Sequence, residues 1–117
     1  MKVFHLVRKD DWEKRKDLEY YAPPSLEREG FIHCSTVGQV LATASRRFSG
    51  VTDLLILIVN SDKVPTEIVY EDLRGTGEKH PHIYGPLSRE AIEKVIAFLC
   101  DKDGEFTSLP IELDKYD

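Results

Sequence analysis

Apolar positions fall at every residue or every second residue in seven places along the chain, and at helical spacing in one. In "KVFHLV" an extended backbone sends Phe4 and Leu6 to one face and Val3, His5 and Val7 to the other, which predicts a first strand. "RKDDWEKRKD" is too charged for a core element and predicts a surface turn or short helix anchored by Trp12. "SLERE" predicts a single helical turn capped by Ser25 and ended by Gly30. "FIHC" predicts a second strand. The helix after it is the clearest in the chain: Thr36 and Gln39 have capping-box spacing, and Val37, Val40, Leu41, Ala44 and Phe48 form one apolar stripe. "LLILIV", Leu54 to Val59, is apolar throughout, as a central strand covered on both faces would be.

Further on, "EIVY" predicts a strand, "EDLRGTGEKHPH" a polar loop, and "IYG" a short strand stopped by Pro86. Ser88 is placed to cap a brief helix through Ile92. "KVIAFLC" and "EFTSL" predict a hairpin around "DKDG", where Asp103-Gly104 is a good turn dipeptide. About six or seven strands with one good helix predict an α+β fold: a split, mostly antiparallel β-core with flanking helices. No repeat, low-complexity segment or linker divides it, so residues 1–117 are read as one domain.

Composition changes this picture little. Hydrophobic residues make up 41% and charged residues 32%, and the net charge is -5. That charge does not favour RNA or an anionic membrane surface as partner. It leaves room for a local basic patch, since Arg46 and Arg47 are adjacent and Arg74 and Lys79 share one loop. "MKVFHLVRKDDWEKRK" becomes too charged too early for a signal peptide, and "LLILIV" is too short to span a bilayer. The expectation is a cytoplasmic protein with reduced cysteines at 34 and 100.

Candidate chemistry centres on "EGFIHCST". Strand alternation puts Phe31, His33 and Ser35 on one face and Ile32 and Cys34 on the other, so Cys34 is a poor nucleophilic partner for His33 and reads as a core residue. Ser35 and Thr36 stand where a strand meets a helix, whose first backbone N–H groups favour anions. Two readings stay open: His33 and Ser35 face a ligand, or Ser35 helps cap the helix and His33 is a satisfied, half-buried histidine. His5 lies within an apolar strand, where a lone histidine is usually structural. With His80 and His82 there are four histidines, but no HExxH or CxxC spacing accompanies them, and no metal is expected. "RGTGEK" lacks the ending of a P-loop, and its glycines read as turn residues. Arg74 can grip an anion with its fork, Glu71 is a candidate general base, and Tyr84 is a half-buried phenol.

"EGFIHCSTVGQVLATASRRFSG", "DLLILIV", "VYEDLRG" and "HPHIYGPL", in this order and spacing, resemble the bacterial proteins grouped as domain of unknown function 952. Cys34 stands where that pattern has leucine, and His80 where it has an aromatic residue. The resemblance implies an ADP-ribosyltransferase-like fold, distantly similar to that of RNA 2′-phosphotransferases, whose "HVHLS" strand looks like "FIHCS" here. Leu6 replaces the glycine of their first-strand "YHGT" motif. Carried over, the likeness implies a histidine-lined pocket for NAD, ADP-ribose or a phosphorylated ribose. His33, Glu71 and His82 would be its catalytic residues, and His5, Ser35, Thr36, Arg74 and Tyr84 its ligand-binding ones. NAD enters as a substrate. The enzyme expected is ADP-ribosyl- or 2′-phosphotransferase-like; the alternative is a non-catalytic nucleotide-type binding or regulatory module. Metal-dependent hydrolysis through the histidines is a third, weaker reading.

Overall fold

The segment Leu54–Asn60 is apolar because a strand lies on each edge of it and a core on each face. The computed structural model describes residues 1–116. In chain order the elements are β1 (Lys2–Arg8), α1 (Lys9–Arg15), β2 (Tyr20–Tyr21), α2 (Pro24–Glu29), β3 (Ile32–His33), α3 (Val40–Arg47), β4 (Leu54–Asn60), β5 (Ile68–Glu71), β6 (His80–Ile83), β7 (Leu87–Ser88) and β8 (Ile92–Phe98). Short 3-10 turns occupy Val37–Gln39, Ser61–Lys63, Arg89–Ala91 and Ile111–Tyr116. The fold is α+β, with few helices and strands that pair antiparallel throughout, in the orders β1-β4-β8, β2-β7 and β3-β6-β5.

Alternation on the large sheet divides the core in two. Phe4, Leu6, Leu54, Ile56, Ile58, Ile96 and Phe98 face α3 and the C-terminal segment, meeting Val40, Ala44, Phe106 and Leu113. Val3, Val7, Leu57 and Val59 face the smaller sheets, meeting Tyr21, Ile32, Cys34, Ile83 and Leu87. Each large side chain buried this way contributes about 1.5–3 kcal/mol. One backbone bridge joins the large sheet to the segment just after β3: Phe4 N–H donates to the Ser35 carbonyl at 2.8 Å, and Ser35 N–H to the Phe4 carbonyl at 2.7 Å.

The periodic elements form as their patterns predict. α3 buries Val40 and Ala44 behind the Thr36–Gln39 capping box, though its first turn is 3-10. α1 is a short surface helix, and Trp12 packs beside Tyr21 at a ring separation of 5.5 Å. Gly30 ends α2 with φ +86°, a conformation that suits glycine.

Other elements differ from expectation. Ser25 does not cap α2: Pro24 opens that helix, where its missing N–H costs nothing, and the Ser25 hydroxyl donates to the Phe31 carbonyl. The strand expected at "IYG" begins earlier and contains His80-Pro81-His82. Ser88 ends β7 without a side-chain cap, and a 3-10 turn follows. The expected hairpin partner "EFTSL" is not a strand. β8 pairs with β4 instead, and Phe106 drops into the core against Phe98 at a centroid distance of 4.8 Å. The "DKDG" turn does form, with the Asp101 carboxylate accepting N–H bonds from Asp103 and Glu105.

Candidate functional site

The site begins with one pairing. In the β3-β6-β5 sheet His33 lies directly opposite His82, which in turn lies opposite Val69. Residues two apart share a face, so Phe31 joins His33, Tyr84 joins His82, and Glu71 joins Val69. The opposite face carries Ile32, Cys34 and Ile83 into the core. Alternation thus collects the polar groups on one side of a three-stranded sheet.

These groups engage one another. His82 donates from Nδ1 to Glu71 Oε1 at 2.8 Å, and the Tyr84 hydroxyl donates to the same oxygen. Those two bonds hold the Glu71 carboxyl below its ordinary range. The carboxylate only accepts, so Nδ1 donates to it, and Nε2 is the ring nitrogen left for a ligand. The His82 ring stacks on Phe31 at 4.1 Å, and its side chain is 8% exposed. His33 donates from Nε2 to Glu29 at 2.9 Å, which leaves Nδ1 as its acceptor. Burial first, and Arg47 next, push the His33 pKa down. The two imidazole centroids are 5.5 Å apart.

His5 is differently placed. It is buried on β1 between two partners: Nδ1 lies 2.7 Å from the His33 carbonyl and Nε2 lies 2.8 Å from the Tyr21 hydroxyl. A carbonyl can only accept, so Nδ1–H donates and Nε2 accepts from the phenol. Burial lowers its pKa from 6.5 to about 4. Both ring nitrogens serve the protein, so His5 supports the His33 strand and has no free ring nitrogen to offer a ligand.

In front of this face lies an open cleft of about 610 Å³, within the size range of small-molecule sites. Its walls come from β1, α2, β3, α3 and the loop between β5 and β6. Five of the chain's seven arginines line it: Arg8, Arg28, Arg46, Arg47 and Arg74. None of the nine lysines does. Mutual repulsion with Arg74, Arg46 and Arg28 helps lower the Arg47 pKa, after burial.

The carboxylates at the cleft have other partners. Glu29 holds His33, Glu71 holds His82, Glu78 lies 3.5 Å from His80, and Asp11 lies 3.8 Å from Arg15. Asp72 accepts the N–H groups of Thr76 and Gly77, so the Gly-containing loop cradles its own carboxylate. Among the described residues, none of the five cleft arginines forms an ion pair. Five carboxylates line the cleft beside the five arginines, so its formal charges balance, but the carboxylates are engaged elsewhere and leave the guanidinium forks open to a ligand.

The structure brings together His33, Ser35, Glu71, Arg74 and His82 at the cleft, with His5 behind them. Ser35 is buried, and its hydroxyl donates to Thr43 at 3.3 Å. Thr36 and Tyr84 do not line the cleft: Thr36 starts the helix and Tyr84 braces Glu71. Cys34 is 4% exposed, with its thiol pKa pushed up by burial. Cys100 packs against the other half of the core, so the two thiols lie on opposite sides of the large sheet. Among the described residues, no three His, Cys, Asp or Glu side chains stand together as a metal-holding group, and no helix is long and apolar enough to cross a membrane.

Sequence reasoning missed Glu29, Thr43 and Arg28 as contributors. Glu29 precedes His33 across a helix end and a left-handed glycine, where no periodicity links the two. Arg28 sits in a helix too short to show a face. Arg46 and Arg47 had a signal in their adjacency, but not one that aimed them at the histidines.

The same architecture occurs in protein CC0527 from Caulobacter crescentus. Its X-ray crystal structure has a TM-score of 0.79 at 25% identity, covering 92% of this chain and 94% of that one. Its solution NMR structure has a TM-score of 0.76 at 25% identity, covering 97% and 95%. No curated protein matches the sequence. The sequence model of the family described as "Protein of unknown function (DUF952)" matches residues 6–95, and the chain belongs to that family.

Proposed function

We propose that the cleft binds a small molecule bearing phosphate on a ribose, such as NAD, ADP-ribose or a nucleoside phosphate, and that the protein acts on it as an ADP-ribosyl- or 2′-phosphotransferase-like enzyme. One observation carries this reading: the Glu71-held His82 keeps an unbonded ring nitrogen beside a cleft whose five arginines form no ion pair among the described residues. Arginine suits the task because its planar fork matches phosphate oxygens in pairs. Glu71 fixes the His82 tautomer, as a carboxylate does for a general base. An ADP-ribosyltransferase-like ancestry is part of the same proposal. The β1–β3 bridge supports it by seating the His5 strand against the His33 strand.

The second reading, a nucleotide-binding module without turnover, draws on two observations. Both nitrogens of His5 are consumed internally, so the first-strand histidine has no free ring nitrogen for a ligand. Glu71 Oε1 already accepts two hydrogen bonds, which weakens its ability to steady an oxocarbenium charge. Small molecules are favoured over RNA in both readings, because the chain is acidic overall, with a net charge of -5.

Thermal shift and calorimetry with NAD, ADP-ribose and nucleoside phosphates test the proposal, with product analysis of the same mixtures. A rise in Tm that Arg47→Ala abolishes is expected. No shift with any of these ligands at millimolar concentration removes both readings. Binding without product selects the module.

A further inference from the structure

We infer that the cleft cleaves a phosphodiester of a ribose by paired-histidine acid–base chemistry, with His33 and His82 as the two catalytic residues. This rests on the reading of the cleft as a phosphate-binding site and goes beyond it by naming the bond broken. Two independent carboxylate–imidazole pairs open onto one hollow: Glu29 on His33 at 2.9 Å and Glu71 on His82 at 2.8 Å. Each carboxylate takes one ring nitrogen, so each imidazole keeps the other for substrate. The rings are cross-strand neighbours in edge-to-face contact, with centroids 5.5 Å apart, so one phosphoryl group seated in the cleft in front of them can meet both. Phe31 touches both, at 4.8 Å from His33 and 4.1 Å from His82, and so fixes their mutual geometry. A single general base needs one such pair. Two of them facing one arginine-lined cleft suit a reaction in which one proton leaves and another arrives.

The step balances without a further reactant beyond water. His33 Nδ1 takes a proton from the attacking water, whose oxygen bonds to phosphorus. The bond from phosphorus to the leaving ribose oxygen breaks, and His82, entering the step protonated, gives its Nε2 proton to that oxygen. Arg47 and Arg74 face the phosphoryl oxygens as charge gathers on them. Proton exchange with solvent restores both histidines. The depressed His33 pKa agrees with a neutral base in that position.

The test uses the full chain with 2′,3′-cyclic AMP and bis(p-nitrophenyl) phosphate as substrates, in EDTA, and 2′-AMP as the binding probe. Expected are hydrolysis that survives EDTA, a bell-shaped pH–rate profile, and a loss of about 10²–10⁴-fold in kcat for His33→Asn and for His82→Asn. Both variants should lose far more in kcat than in 2′-AMP affinity and should keep a cooperative melt. Glu29→Gln should move the limb of the profile that reports His33 and leave 2′-AMP binding in place, a result that loss of packing alone does not produce. Arginine-dependent 2′-AMP binding with intact diesters overturns the inference and leaves the binding reading standing. Cleavage of the nicotinamide–ribose bond of NAD without diester cleavage does the same. Hydrolysis abolished by EDTA overturns paired-histidine chemistry, and absence of 2′-AMP binding overturns both.

Discussion

His5 reaches from β1 into the backbone of β3, and its Nδ1 lies 2.7 Å from the carbonyl of His33. A buried imidazole on the large sheet thus holds the strand that carries the candidate site, and it must be neutral to accept from Tyr21 as well.

Stability should therefore depend on pH through His5. Its folded pKa is lowered from 6.5 to about 4, so between these values the unfolded chain binds the extra proton. The contribution is fully present above pH 6.5 and is lost as pH falls toward 4, amounting to about 3 kcal/mol. Urea melts of wild type across this range should show the slope, and His5→Gln should flatten it while lowering stability at neutral pH. A wild-type slope that persists in His5→Gln would assign the dependence elsewhere.

Phe31 is buried among His33, His82 and Tyr84. Phe31→Ala should cost about 3–5 kcal/mol and release the histidines from their common support. Phe31→Leu should keep most of the stability. If Phe31→Leu nevertheless gives altered His33 and His82 ring shifts by NMR, the phenyl ring is setting their geometry as described.

Thiol labelling should separate the two cysteines. Cys100 is partly exposed and should react in the native state, whereas Cys34 should label only as the protein unfolds, because burial raises its pKa and hides its sulfur. Native reaction at both sites with one rate would contradict this packing. No disulfide between them should form on oxidation of folded protein.

Gly104 has φ +83°, and a Cβ there would lie 2.9 Å from the backbone Cα of Gly50. Gly104→Ala should cost more than about 1 kcal/mol, combining left-handed strain with a clash that backbone atoms must move to relieve. Gly38 has no such neighbour and a negative φ, so Gly38→Ala should be near neutral or stabilising. Thermal melts of the two variants check the contrast.

The elements legible in the sequence are those whose pattern repeats within themselves. β1, β4 and α3 each bury the residues that their period selects, and "FIHCS" turns its thiol inward as alternation requires. "EFTSL" alternates equally well, yet its only buried side chain is Phe106, which packs on Phe98 in the core, and the segment forms no ladder with the open edge of β8. Pairing partners are a tertiary fact that a local pattern does not contain. The same holds at the site. Residue types pointed to His33, His82, Glu71 and Arg74, but the bond between Glu71 and His82 depends on the β5–β6 register, and the one between Glu29 and His33 on how α2 hands over to β3. His5 illustrates a related point: a histidine with a ligand and one spent on its own fold look alike until both ring nitrogens are traced.

The Phe4–Ser35 bridge gives the catalytic-looking sheet a mechanical anchor. β3 is two residues long and is secured to the large sheet by that pair of backbone bonds and by the His5 ring. A strand so short has little order of its own, so its protection from solvent exchange is borrowed from β1. Deuterium uptake at the Ser35 and Phe4 amides should then follow the same opening event. Loosening the anchor would melt the cleft long before the hydrophobic layers give way.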